Sequence, residues 1–340
     1  MKVVLRADAS RSRGSGHVMR CLTLAEALVA RGHIVHLAVT MEGIPWLTAA
    51  VAATGLPLLE VAPNELSADA VLSVDPDWVV VDSYELPAEE ISSLNLRVPV
   101  LAIVDGELRS IVASLYLEQN LGSDELDLAI PSGGRLLAGG KYALIRDAVL
   151  RERRPDPWAL SGTPRVVAVL GGTDPLGMIV PVATQLASLS VPTELTLVAA
   201  AEWHEEVARV MAARPDARIV PPSSGVASLL GAADVVVSAA GTSAWEICTL
   251  GLPSVLIAVV DNQTGSLHRM TAEGLVLGID LTVDGQPGIE HLGGMIELLC
   301  TDESTRRSLS RRATALFDGL GKGRVVEAME AGRLAVRKAS

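Results

Sequence analysis

At 340 residues the chain has the length of two ordinary domains, and a hydrophobic content of 49% supplies material for two buried cores. Aromatic residues make up only 3%, with Phe317 the single phenylalanine, so Ala, Val and Leu must carry the packing. A net charge of −12 argues against nonspecific partners such as nucleic acid or anionic membranes, yet it permits a phosphate ligand, which local loops and not global charge hold.

No uninterrupted apolar run approaches the roughly 18 residues of a membrane helix, and the most apolar stretch, 252–260, contains Pro253 and is strand-sized. The opening residues 1–8 are too short an apolar run for a signal peptide. Cys21, Cys248 and Cys300 are scattered, which fits a reducing cytoplasm and predicts neither a metal site nor a disulfide framework.

In chain order, β-branched runs predict strands at 3–7, 34–40, 58–61, 78–82 and 100–104. Between the first two, Val18, Cys21, Leu22, Ala25, Leu28 and Val29 recur at helical spacing, and Gly32 closes that helix. The less regular stretch 115–146 reads as the end of the first sheet. A charged, proline-bearing segment at 151–157, followed by Ser161-Gly162-Thr163-Pro164, reads as a solvated linker. The alternation restarts with strands at 165–170, 194–198, 217–220, 235–238 and 254–258, and helices near 178–188, 203–213, 224–231 and 243–250. Helices at 289–299, 303–316 and 325–337 finish the chain. The pattern is α/β, with two doubly wound domains at 1–147 and 165–320, a linker at 148–164 and a terminal helical segment at 321–340.

Two glycine-rich loops carry most of the functional information. Gly14-Ser15-Gly16-His17, with Arg20 one turn on, follows the first strand. The glycines permit a tight turn, and a helix start there favours a neutral His17 able to accept a proton; alternatively His17 only caps the helix. Gly241-Thr242-Ser243-Ala244-Trp245-Glu246 follows a late strand, with Thr242 or Ser243 as cap and Glu246 placed either for sugar hydroxyls or as the acid of a capping box. Trp245 reads as packing. Leu170-Gly171-Gly172-Thr173-Asp174-Pro175 has the form of a phosphate cradle, and Asp174 with Pro175 also suits a helix cap. Asp261-Asn262-Gln263 reads as a further polar loop at the same sheet edge, so that several loops converge on one ligand. Asp8, Asp82 and Asp105 end strands in the first half, where they serve a crevice or a turn. Asp75-Pro76-Asp77 matches a metal-binding DxD superficially but precedes its strand and reads as a turn. His33, His36, His204, His268 and His291 lack metal-ligand spacing.

Residues 6–10 and 14–22, together with Asp82-Ser83-Tyr84, Gln119-Asn120-Leu121, 141–146, 170–175, 240–246, Gly251-Leu252-Pro253 and Asn262-Gln263, resemble the UDP-sugar hydrolases of pseudaminic acid biosynthesis, the PseG type. Spore-coat polysaccharide proteins share the pattern, as more loosely does the glycosyltransferase MurG. The resemblance implies a GT-B architecture: two Rossmann-like domains, an active site in the cleft between them, and a C-terminal helix packing back on the first domain. It implies His17 as the catalytic histidine; in the mechanism expected here His17 is the general base, and Asp8, at the end of the first strand, orients the ring or the water. It puts Arg6, Gly14, Ser15, Gly16, Arg20, Asp82, Tyr84, Asn120, Asn262 and Gln263 at the substrate, and Gly171, Gly172, Thr173, Gly241, Thr242, Ser243 and Glu246 at the nucleotide. No metal or cofactor is implied, and the partner is a UDP-sugar handled by a monomer or weak homodimer. One departure bears on the sugar: many relatives carry a second acid after the aspartate at the position of Asp105, where this chain has Gly106. The expected activity is release of UDP from a UDP-linked 2,4-diacetamido-2,4,6-trideoxyhexose with inversion; a GT-B glycosyltransferase and a silent sugar-nucleotide-binding protein are the other readings.

Overall fold

The computed structural model describes residues 1–284 and 286–339. The chain divides into two units, Met1–Arg146 with Gly319–Ser340, and Asp147–Asp318.

Unit 1 contains six strands: β1 (Lys2–Ser10), β2 (Ile34–Glu42), β3 (Trp78–Asp82), β4 (Val100–Val104), β5 (Leu115–Glu118) and β6 (Arg135–Ala138). All pair in parallel in the order β2-β1-β3-β4-β5-β6. Helices cover both faces, which is why β3 and β4 read as continuous apolar runs and not as alternating ones. The alternation is still present in the packing. Val3, Leu5 and Ala7 of β1, Trp78 and Val80 of β3, and Leu101 and Ile103 of β4 enter one core with the helix Gly16–Ala30. Val4, Val79, Val81, Val100, Ala102 and Val104 enter the other, with Ile91 and Leu94 of the helix Ala88–Asn95.

The helix Gly321–Ala339 belongs to unit 1. Its Val325, Val326 and Met329 join the first core. Lys322 Nζ donates to Glu26 at 2.8 Å, and Arg31 donates to Glu330 at 2.8 Å. A side chain at Gly321 would collide with the carbonyl oxygen of Ala143, so the helix starts flush against the backbone.

Unit 2 contains β7 (Arg165–Val169), β8 (Glu194–Val198), β9 (Arg218–Val220), β10 (Val235–Ala239), β11 (Ser254–Ala258) and β12 (Leu277–Asp280). They pair in parallel in the order β12-β11-β10-β7-β8-β9. Counted from β7 this is 3-2-1-4-5-6, the dinucleotide-binding order, with its switch point between β7 and β10.

Several expectations change. Residues 58–61 form no strand; Leu58 makes a single bridge to Leu37 and is 56% exposed, with Pro57 at its shoulder. The irregular stretch 115–146 contributes two strands, β5 and β6, each only four residues long and too short to show a period. β12, also four residues and holding Gly278, was likewise unreadable. Asp261-Asn262-Gln263 is the first turn of the helix Asp261–Ala272 and not a loop. The charged run at 151–157 is tied down, not merely solvated. Arg153 donates to the carbonyls of Thr249 (3.2 Å) and Phe317 (3.3 Å), and Arg154 donates to Asp234 (3.4 Å) and to the Ala233 carbonyl.

Candidate functional site

In unit 1 the strand order reverses between β1 and β3, so the loops leaving their carboxyl ends diverge and open a crevice. After β1 the chain turns tightly: Gly14 has φ +82°, and its N–H donates to the Ser10 carbonyl at 2.9 Å. The helix Gly16–Ala30 begins at once. His17 and Arg20 are three residues apart and therefore share a face. Ser15 occupies the N-cap position without a side-chain cap bond, and His17 does not cap either; its ring is spent elsewhere.

The ring meets Asp82, the last residue of β3, with Nδ1 and Oδ1 2.6 Å apart. Arg20 also donates to Asp82, through Nε (2.8 Å) and a terminal nitrogen (2.7 Å). That same nitrogen lies 2.9 Å from Nδ1. Nδ1 could accept from Arg20 only by directing its lone pair at a carboxylate oxygen 2.6 Å away, so the proton belongs on Nδ1, donated to Asp82. This tautomer leaves Nε2 as a proton acceptor.

Arg20 reaches on to Asp105 beyond β4, at 3.1 and 3.2 Å. The Tyr84 hydroxyl donates to Asp105, and the Tyr84 ring stands edge-on to His17 with centroids 4.6 Å apart. Asn120, beyond β5, donates to Asp105 at 3.4 Å.

Burial pushes the Asp82 carboxyl up, but the Arg20 guanidinium and the His17 ring outweigh it and hold the group below the usual carboxylate range. Burial opposes the charge on Arg20, which Asp105 and Asp82 restore, leaving it firmly a cation. Burial and Asp105 together raise the Tyr84 phenol, which therefore remains a donor.

Two expected site residues are engaged elsewhere. Arg6 is fully buried and donates to both oxygens of Asp8 (2.6 and 2.9 Å) and to the carbonyls of Ala62 and Glu65. Asp8 accepts further from the Thr40 hydroxyl (2.5 Å) and the Asn64 amide (3.3 Å). The pair locks the segment 62–65 onto β1, with no capacity left for a ligand, and Asp82 replaces Asp8 as the carboxylate on the imidazole. Asp105, read from sequence only as a strand-end acid, is the hub of the outer cluster. Gly106 has φ +80° and donates its amide to Glu118, a residue the sequence reading passed over. Asp75-Pro76-Asp77 is a turn: Asp75 has φ +49°, and Asp77 accepts the Lys2 amide at 2.8 Å.

In unit 2, β7 and β10 are neighbours, and the Ser238 hydroxyl ties them by donating to Val169 at 2.8 Å. Gly171-Gly172-Thr173 leaves β7 with Gly171 at φ +78°. Asp174, at φ +42°, accepts from the amides of Met178 (2.9 Å) and Ile179 (2.8 Å), so it does anchor the start of the helix Ile179–Ala187. Burial raises its carboxyl. The Trp203 indole donates to the Asp174 carbonyl at 3.1 Å, with its ring over Gly177.

Gly241-Thr242 leaves β10 and enters the helix Ser243–Leu250. Thr242 is the N-cap residue but makes no side-chain cap bond, so the expected capping box is not formed. Glu246 is buried one turn into this helix, and Trp245 packs in the core. Gln263 accepts the Val259 amide at 3.0 Å and brings its Nε2 beside Gly241. Asn262 is exposed on the same first turn. Residues from three strand ends thus gather at the switch point, where glycine backbones and helix starts favour an anion.

No family model matches the chain. It is 23% identical over 341 residues to the spore coat polysaccharide biosynthesis protein SpsG of Bacillus subtilis (strain 168), covering 97% of this chain and 98% of that one. Among solved structures it is similar to the spinosyn rhamnosyltransferase SpnG complexed with thymidine diphosphate, at 17% identity and TM-score 0.65, covering 97% of this chain and 100% of the other. It is also similar to the UDP-GlcNAc 2-epimerase of Neisseria meningitidis bound to UDP-GlcNAc, at 13% identity and TM-score 0.65, with coverage of 97% and 100%. These likenesses and the two parallel six-stranded sheets establish the α/β, GT-B-type fold. No helix among the described residues is long and apolar enough to cross a membrane.

Proposed function

We propose that the protein is a nucleotide-sugar hydrolase of surface-polysaccharide or nonulosonic acid biosynthesis, releasing UDP from a UDP-linked 2,4-diacetamido-2,4,6-trideoxyhexose. The observation that carries this reading is the 2.6 Å hydrogen bond from His17 Nδ1 to buried Asp82, which fixes the tautomer with Nε2 available as base. The 23% identity to a polysaccharide biosynthesis protein supports the pathway class.

In this mechanism a water gives a proton to Nε2 as its oxygen bonds the anomeric carbon. The bond from that carbon to the diphosphate oxygen breaks, and UDP leaves with the electron pair. A single displacement inverts the centre. Asp82 stabilises the imidazolium that forms, and Arg20 keeps Asp82 ionised. The Gly171 and Gly241 loops, with the helix starts behind them, take up charge growing on the diphosphate, while Glu246 serves the ribose and Asn262 and Gln263 the sugar and phosphates. Gly14, Ser15 and Gly16 let the sugar approach the backbone beside His17.

The second reading is a glycosyltransferase in which an acceptor hydroxyl replaces water; it is favoured by the similarity to a rhamnosyltransferase holding thymidine diphosphate. Incubation with the UDP-sugar, without acceptor or added metal, separates the two. UDP release that vanishes in His17→Ala, with UDP affinity intact, supports hydrolysis. UDP binding without release refutes hydrolysis of that sugar and favours transfer.

A further inference from the structure

β4 and β5 end side by side, with Val104 opposite Glu118. Glu118 is fully buried, yet among the described residues no cation pairs with it. Its carboxylate is held by amides: Oε2 accepts the Gly106 N–H, and Oε1 accepts the Asn120 N–H at 2.9 Å. Each amide belongs to a loop bearing a polar group of the unit 1 site. Gly106 follows Asp105 directly, and Asn120 is itself the donor to Asp105. The Ser123 hydroxyl adds a third tie by donating to the Glu118 carbonyl at 3.0 Å.

An ionised carboxylate without a cation is a costly group to bury. Packing two loop ends does not require one, but here the two N–H donors meet different oxygens, and a carboxylate accepts on both where a side-chain amide would present an N–H at one of them. Burial, with the nearby Asp105 charge adding, raises the Glu118 carboxyl above its usual range, and the Gly106 and Asn120 amides offset this only in part.

We propose that Glu118 is a positioning residue for sugar recognition: it fixes the Asp105 and Asn120 loops in one register so that these side chains together meet polar substituents of the sugar, while Glu118 touches no substrate. The proposal rests on the unit 1 site being the sugar site, as the hydrolase reading requires.

Glu118→Gln is the test, since the amide retains one acceptor and turns an N–H donor towards the second loop. Affinities for UDP and for the UDP-diacetamido-trideoxyhexose are measured by calorimetry, with turnover alongside. The expected result is a loss of about tenfold or more in UDP-sugar affinity and a matching rise in KM, with UDP affinity unchanged, the scale set by one charge-assisted hydrogen bond. A wild-type ratio of UDP-sugar to UDP affinity overturns the proposal. Because that ratio needs no turnover, it separates failure of this inference from failure of the hydrolase assignment. A cycle with Asn120→Ala guards against general damage. If Glu118 acts through Asn120, the double variant loses clearly less than the sum of the singles, whereas additive losses overturn the proposal.

Discussion

Replacement of Asp82 by asparagine tests the core of the chemical argument. The carboxylate is fully buried and accepts from His17 at 2.6 Å and from Arg20 at 2.7 and 2.8 Å. Asparagine keeps the shape but has a single acceptor oxygen. With that oxygen towards His17, the amide NH2 opposes Arg20 Nε. With the amide reversed, the ring must move its proton to Nε2 and is no longer a base. Either arrangement loses at least one charge-assisted bond and one of the two countercharges of buried Arg20. Breaking a buried pair costs about 3–5 kcal/mol, equivalent to a fall of roughly 6–20 °C in the unit 1 transition. The neutral amide also fails to stabilise imidazolium, and the comparable change in a Ser-His-Asp triad lowers kcat about 10⁴-fold. Turnover should therefore fall by at least about 10²-fold while UDP affinity, which the proposed function assigns to unit 2, holds. Nitrogen-15 spectra of the His17 ring report the tautomer without any substrate. A kcat within about threefold of wild type, with the Nδ1–H tautomer unchanged, would refute the reasoning.

Gly321→Ala places a methyl group against the backbone of Ala143. Overpacking costs about 1–3 kcal/mol, so unit 1 should melt earlier while unit 2 is unaffected, as separate calorimetric transitions or hydrogen exchange would show. Asp234 is held below the usual carboxylate range because hydrogen bonds and charge from Arg165, with Arg154 adding, outweigh burial. A depressed folded-state pKa contributes stability that is present above the ordinary carboxylate range and lost as pH falls through the depressed value. Asp234→Asn should therefore weaken unit 2 at neutral pH, by about 1–3 kcal/mol, and converge with wild type in acid denaturation. An equal deficit at both ends of the pH range would contradict the assignment.

The local chemistry was legible in the sequence wherever one element carried it. His17 and Arg20 share a helical face by spacing alone, and the glycine loops at 171 and 241 announce themselves by following apolar runs. The pairing of His17 with Asp82 was not legible, because 65 residues separate them and only the adjacency of β1 and β3 joins them. Asp8 illustrates the converse. From the strand-end position it could serve the imidazole, but the carbonyls of Ala62 and Glu65 position Arg6, and Arg6 claims Asp8. Those carbonyls belong to an irregular segment with no periodic signature. Glu118 escaped notice because β5 is four residues long and its burial depends on β4 beside it.

The membership of the terminal helix in unit 1 has a consequence for how the chain acquires its shape. Everything that unit 2 needs precedes Gly319, whereas unit 1 is interrupted after Arg146 and completed only by the segment that begins at Gly319. The second sheet can close while the first still exposes the surface that Val325, Val326 and Met329 will cover. Domains ordinarily mature from the amino end during synthesis; here the order is reversed, and the half bearing His17 is finished after unit 2. A nascent chain that has not yet supplied the helix Gly321–Ala339 would carry a complete unit 2 and an open, sticky unit 1, so the risk of aggregation persists until that helix docks.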